Sequence, residues 1–185
     1  TGKVGDEASP IPDSQKKEEY YQDQLFRVEK AKLIKANELR QQGENVVIDK
    51  SAIATVATAK AFEVKRGFEG TFRRAYLKYI DLLQELKNRD LVECDVFMLL
   101  TANYDTICKR NKMRNHVLDG IWIDENTISS QRGILEKMIE EIVGCISKND
   151  MKKVILDTSN LGKRDVLDRF NNILNRCERE KFKIK

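Results

Sequence analysis

Three side chains suited to phosphate chemistry follow one another at positions 49–51: the carboxylate of Asp49, the ammonium group of Lys50 and the hydroxyl of Ser51. They follow an apolar, β-branched run over 46–48, which is typical of a strand buried on both faces. Ligands bind at the carboxyl ends of strands in open α/β sheets, so this position favours a binding or catalytic site. The alternative is that Asp49 only caps the helix that follows, since Asp and Ser both favour such positions.

A second candidate is the basic segment 109–114, which places Lys109, Arg110, Lys112 and Arg114 within two helical turns. Cations this close repel one another unless an anion or an acidic partner balances them. A phosphate clamp is one interpretation, because Arg and Lys neutralise charge on a transferring phosphoryl group. The others are a solvated helix C-terminus, where the dipole favours cations, and a nucleic-acid contact.

The elements that position these residues alternate between helices and strands, which predicts a parallel sheet covered by helices on both faces. Residues 1–12 carry Gly and Pro without periodicity and are predicted to be a loop or flexible terminus. Gly43 fits the end of the first helix. We predict helices over 13–42, 52–64, 70–88, 104–115, 126–148 and 163–179, strands over 45–49, 95–101 and 154–157, and a lid-like basic segment over 109–125.

The first helix carries two apolar stripes, which predicts that it is contacted on two sides. The first stripe contains Leu25 and Val28, and the second contains Phe26 and Leu33. A helix lining a cleft and a helix wedged in the core both fit this pattern.

The bulk composition narrows the class of protein. The 185 residues suffice for one domain with a core, and the net charge of +4 is modest, with both signs mixed, which argues against a dedicated nucleic-acid binder. The sequence has neither an apolar run of membrane-spanning length nor a secretory signal. Four widely spaced cysteines are typical of reduced thiols in a cytoplasmic protein, and the single histidine, His116, excludes most histidine-based metal sites in this chain.

The order of elements and several local patterns resemble the thymidylate kinase branch of the P-loop nucleoside and nucleotide kinases. That family carries Leu-Phe-x-x-Asp-Arg-x-x-His on a long helix. Residues 25–33 read Leu-Phe-Arg-Val-Glu-Lys-Ala-Lys-Leu, which keeps the acid as Glu29 and replaces the Arg by Lys30 and the His by Leu33. The family's Asp-Arg-Tyr-x-x-Ser after a strand is matched in part by residues 49–51, and residues 154–159 resemble its last strand. The resemblance covers nearly the whole chain, as a pattern of elements more than of identical residues.

The resemblance implies a three-layer α/β fold with a P-loop-kinase-like parallel sheet. It also implies phosphoryl transfer from ATP, with Mg²⁺, to a nucleoside or nucleoside monophosphate. Phe26 would stack on the acceptor base, while Glu29 and Lys30 would line the acceptor pocket. Asp49 would lie beside the magnesium ion and the transferring phosphate, or act as a base towards a hydroxyl acceptor. Lys50 would hold the acceptor's phosphate or sugar, with Ser51 beside it.

The resemblance also implies a lid whose cations close over the transferring group. Arg110 and Arg114 would act in catalysis, and Lys109 and Lys112 would contact phosphate. Lys is a point charge and does not reproduce a bidentate guanidinium contact, so the Arg-to-Lys replacement at Lys30 affects which acceptor fits.

The phosphate-binding motif G-x-x-x-x-G-K-[ST] does not occur in the 185 residues. The family's sheet places the strand of that motif between the strands predicted here at 45–49 and 95–101. Two explanations stay open. Either the strand–loop–helix unit lies outside the sequence given, or the chain is a reduced three-stranded relative in which Asp49 and the basic helix have other uses.

Two further classes of function fit the same residues. One is a non-catalytic interaction or regulatory domain on a kinase scaffold without the P-loop. The other is a P-loop kinase that acts on a non-nucleotide small molecule. The apolar face of the helix predicted over 70–88 also fits the interface of a homodimer.

Overall fold

The fold comes from a computed structural model, which describes residues 12–91, 94, 96–114, 120–146 and 152–182. The chain forms two compact units, Thr1–Leu91 (unit 1) and Val92–Lys185 (unit 2). Each unit is described by itself below, and the single domain expected from the chain length stays a prediction.

Unit 1 consists, where it is described, of three helices: α1 Gln15–Gln41, α2 Ala52–Arg66 and α3 Thr71–Asn88. The predicted end of α1 at Gly43 is confirmed, and the structure shows the residue that caps its start. The Ser14 hydroxyl accepts a hydrogen bond from the Lys17 amide, and Gly43 adopts a φ of +87°, which a glycine reaches without strain.

The core of unit 1 lies between α2 and α3, and α1 packs on both helices. Val56 and Phe62 of α2 and Tyr79 of α3 are fully buried. Only one of the two predicted stripes of α1 is buried. Phe26 and Leu33 face the core, whereas Leu25 and Val28 are exposed, so the prediction of two apolar contact faces is wrong. Polar side chains complete the buried stripe of α1: Glu18, Gln22, Glu29 and Asn37.

Unit 2 contains a pair of parallel strands, β1 Val96–Thr101 and β2 Lys152–Asp157, in a register that aligns Thr101 with Asp157. Both strands were predicted, and β2 begins two residues earlier than expected. Its helices are α4 Tyr104–Lys112, α5 Glu125–Ile146 and α6 Lys163–Phe182, with a short 3₁₀ helix at Gly120–Ile123. The helix predicted over 104–115 therefore ends early, in a turn at 113–114.

The predicted fold class, a three-layer P-loop-kinase-like sheet with helices on both faces, is wrong. The described residues form six α-helices and one sheet of two strands. The predicted strand over 45–49 is irregular backbone, with Val47 66 % exposed. An apolar β-branched run favours a strand only where another strand satisfies its backbone groups, and the described part of unit 1 contains only helices.

Some predicted features lie outside the described residues. They are the terminal segment 1–11, the strand residue Asp95, the lid residues 115–119 with His116, and the helix end at 147–148. No helix in the described ranges combines the length and apolar character needed to span a membrane.

Candidate functional site

A groove lies between α1 and α3 of unit 1 and has a volume of about 290 Å³. This lies at the lower end of the range for small-molecule sites. Phe26 and Leu82 supply its apolar surface and are both nearly buried. Charged side chains of both signs surround them. The lining residues are Asp23, Phe26, Arg27 and Lys30 of α1 and Lys78, Asp81, Leu82 and Glu85 of α3.

The charges of this groove differ in how firmly they are held. Asp23 accepts two hydrogen bonds from the Arg74 guanidinium, at 2.8 and 2.9 Å, and pairs with Lys78 at 2.7 Å. Partial burial opposes ionisation of Asp23, but the hydrogen bonds from Lys78 and Arg74 outweigh it and lower the pKa of its carboxyl group. Lys30 pairs with Glu85 at 2.7 Å, and both side chains are substantially exposed. An exposed pair of this kind contributes about 0–1 kcal/mol, so Lys30 is free to exchange Glu85 for a ligand anion at little cost.

Glu29 is only 6 % exposed and is not among the residues that line the groove. Its Oε1 pairs with Lys32, whose Nζ also donates to the backbone carbonyl of Lys50 at 3.4 Å. Its Oε2 is buried without a hydrogen-bond partner. Lys32 therefore connects α1 to the turn at 49–51. Sequence reasoning missed Lys32, although an acid and a base three residues apart on a helix are a recognised pairing signal.

The turn at 49–51 places its three candidate side chains at the start of α2. Lys50 has a φ of +60°, and Ser51 is the N-cap residue by backbone position, but its side chain makes no capping hydrogen bond. Asp49 is exposed and has no ion pair among the residues described. Helix capping thus occupies neither the Asp49 carboxylate nor the Ser51 hydroxyl.

In unit 2, polar groups meet where the two parallel strands end. Asp157 accepts hydrogen bonds from the hydroxyl and the amide of Ser159, at 2.6 and 2.9 Å, which lower the pKa of the Asp157 carboxyl group. The Ser159 hydroxyl oxygen accepts from the amide of Asn103 at 2.8 Å. The loop after β1 is thereby attached to the loop after β2.

Arg110 has three partners in the loop after β2. Its guanidinium donates to the hydroxyl of Thr158 at 2.8 Å, to the carbonyl of Thr158 at 2.6 Å and to the carbonyl of Leu161 at 3.0 Å. Lys109, Lys112 and Arg114 are exposed. The structure thus gives Arg110 a structural contact that the sequence did not indicate, and its role in catalysis stays a prediction.

The structure brings some of the predicted site residues together. Phe26 and Lys30 share the groove, and Lys32 links Glu29 to Lys50. Sequence reasoning missed the contribution of α3, including Asp81 and Glu85, because that helix was interpreted by its apolar residues alone.

The described residues fit a magnesium ion only in part. They contain no group of three His, Cys, Asp or Glu side chains able to hold a metal ion. Mg²⁺ usually binds one or two carboxylates and completes its shell with water and substrate phosphates, so a single exposed carboxylate such as that of Asp49 is compatible with it, and the magnesium site stays a prediction. ATP does not fit in the family's way, because the 185 residues lack the motif whose amides cradle its phosphates.

No family model matches the chain, and neither the curated proteins nor the solved structures yield a match. Functional assignment therefore depends on the residues and contacts described above.

Proposed function

We propose that the chain acts in phosphoryl transfer from ATP to a nucleoside or nucleoside monophosphate, in the cytoplasm, and that its unit 1 supplies the acceptor site. The observation that supports this proposal is the groove between α1 and α3, which holds Phe26 and Lys30 together. A flat aromatic side chain beside an exchangeable cation suits a ligand that combines a base with a sugar or phosphate.

Each residue has a defined part in this proposal. Phe26 stacks on the base. Lys30 gives up its ion pair with Glu85 and binds a polar or anionic group of the acceptor instead. Asp49 supplies a carboxylate to magnesium, which lowers the charge repulsion around the transferring phosphate when it is bound. Lys50 adds a positive charge next to Asp49.

The first test is acceptor binding by the 185-residue chain, measured by isothermal titration calorimetry with a panel of nucleosides and nucleoside monophosphates. Phe26→Leu keeps an apolar side chain in the core but removes the aromatic face. We expect it to weaken binding by about tenfold, because stacking of a base on an aromatic ring contributes roughly 1–3 kcal/mol. Phe62→Leu is the control, since Phe62 is also a buried phenylalanine of unit 1 but lies on α2 outside the groove. Equal affinities in the two variants would exclude the groove as the base site.

The second test is transfer of the terminal phosphate of labelled ATP, with magnesium, to the acceptors that bind. We expect Asp49→Asn to abolish transfer and leave the melting temperature unchanged, because the carboxylate is exposed and unpaired in the described chain. Asp90→Asn is the control: Asp90 is also an exposed aspartate of unit 1 in non-helical backbone, just after the end of α3. Full activity of Asp49→Asn would refute the catalytic assignment.

A non-catalytic interaction or regulatory domain is the second candidate. Two observations favour it. The guanidinium of Arg110 is hydrogen-bonded to the loop after β2, and the 185 residues lack a P-loop motif. Acceptor binding without any phosphate transfer, in a preparation that is folded by circular dichroism, would support this candidate over the first.

A further inference from the structure

The three hydrogen bonds of Arg110 bring two basic segments of unit 2 together. Arg110 lies in the last turn of α4, between Lys109 and Lys112, and holds the carbonyl of Leu161 at 3.0 Å. Lys163 and Arg164, which open α6, follow Leu161 by two and three residues. Since each residue spans at most about 3.6 Å of chain, the backbone of Lys163 and Arg164 lies within roughly 11 Å of the Leu161 carbonyl. These segments are about 50 positions apart in the sequence, so only the tertiary contact joins them.

Five cations other than Arg110 lie in the two segments that this contact joins, and we call them the basic end of unit 2. All five are exposed, and within the described chain none of them forms an ion pair. Cations of unit 1 such as Lys30, Lys60 and Lys78 do have acidic partners. The members of the basic end are Lys109, Lys112, Arg114, Lys163 and Arg164.

Acids near the basic end do not neutralise it. Asp165 accepts from the amide of Gly162 at 3.0 Å, and Asp157 accepts from Ser159. Asp168, one turn further along α6, makes no ion pair among the described residues. These acids stay negatively charged, but the five cations of the basic end and Arg110 outnumber them, so the net charge of this part of unit 2 is positive and attracts an anionic partner.

We propose that the basic end of unit 2 binds the phosphate backbone of a nucleic acid strand, a role separate from the acceptor site of unit 1. Five separate, exposed cations suit a chain of singly charged phosphodiesters. A compact phosphate group suits a cradle of converging donors better. The sequence argued against nucleic acid because both charge signs are mixed along the chain, whereas the Arg110 contact brings the basic end of α4 close to the basic start of α6.

The test is the salt dependence of binding to a fluorescent single-stranded oligonucleotide of about 20 nucleotides, long enough to exceed a typical site. Fluorescence anisotropy is measured with the full 185-residue chain between about 50 and 200 mM salt. Contact with five phosphates predicts that log K falls with log salt at a slope of about −3.5. Lys163→Gln combined with Arg164→Gln should reduce that slope to about −2.1, since each phosphate contact contributes about 0.7.

A control of equal charge is Lys16→Gln combined with Lys87→Gln, since both lysines are exposed and form no ion pair with any described residue. We expect this double variant to keep the parent slope, as a surface-specific contact requires. Arg110→Lys keeps the net charge but loses the guanidinium hydrogen bonds that join the two segments. It should therefore weaken binding several-fold, while circular dichroism shows that the fold is retained.

Three results would overturn the proposal. The first is a slope near zero or no binding at about 50 mM salt, which means that the surface takes a different kind of partner. The second is an equal effect of the two double variants, which means that only net charge matters. The third is displacement of the oligonucleotide by tripolyphosphate at an equal phosphate concentration, which identifies a compact anion as the ligand.

Discussion

The variant Arg110→Ala tests whether Arg110 has a structural role, because such a role predicts a loss of stability in unit 2. The variant removes three hydrogen bonds to the loop after β2, at 2.6, 2.8 and 3.0 Å. A hydrogen bond contributes a net 0.5–1.5 kcal/mol or so, and bonds from a charged group contribute more. The Thr158 hydroxyl keeps its own bond to the Thr101 carbonyl, so the two carbonyls bear most of the loss.

The variant also removes one of the four cations of the segment 109–114, and the reduced like-charge repulsion offsets a small part of this loss. The expected net loss is therefore about 2 kcal/mol in the free energy of unfolding of unit 2. For a unit of this length, that corresponds to a fall in melting temperature of roughly 8–16 °C.

Urea unfolding followed by tryptophan fluorescence measures this loss, because Trp122 is the single tryptophan and lies in unit 2. Lys109→Ala is the control, since Lys109 is exposed and makes no hydrogen bond within the described chain. We expect this control to change the free energy of unfolding by less than about 0.5 kcal/mol. If Arg110→Ala is as mild as Lys109→Ala, the structural role of Arg110 is refuted.

Two further predictions concern acids of α1. Burial raises the pKa of the Glu18 carboxyl group, so the folded state binds its proton more tightly and stability falls as pH rises from 4.5 through the raised value. Glu18→Gln should therefore stabilise unit 1 by about 1 kcal/mol at neutral pH and have little effect below pH 4.5, as denaturation followed by circular dichroism at the two pH values will show. Asp23 has a lowered pKa, so its stabilising contribution is present above 3.8 and is lost as pH falls through the lowered value. Asp23→Asn should cost about 1 kcal/mol at neutral pH, and the difference from the parent should vanish in acid; a difference that is constant with pH contradicts the role of the Arg74 and Lys78 contacts.

Much of the helical structure was predictable, because helix signals are local. A helix satisfies its backbone four residues away, and its ends are marked by neighbours such as Ser14 and Gly43. The apolar runs of β1 and β2 also predicted strands correctly, and in unit 2 the two strands pair with each other.

The candidate site was predictable only in part. The sequence identified Phe26, Lys30 and Asp49 by residue type and by resemblance. It gave no sign that Glu85 pairs with Lys30, or that Lys32 joins α1 to the turn at 49–51, because these contacts depend on how the helices pack.

The sequence by itself determined where helices form, which runs favour strands, and which side chains have the chemistry for phosphate. The tertiary structure alone decided that residues 46–48 pair with no strand and that Val46 and Val47 are exposed, since a strand exists only with a partner. It also decided that Arg110 bonds to Thr158, 48 positions later, and so brings two basic segments close together. Interactions across such distances depend on the packing of whole elements, which local patterns of residues do not encode.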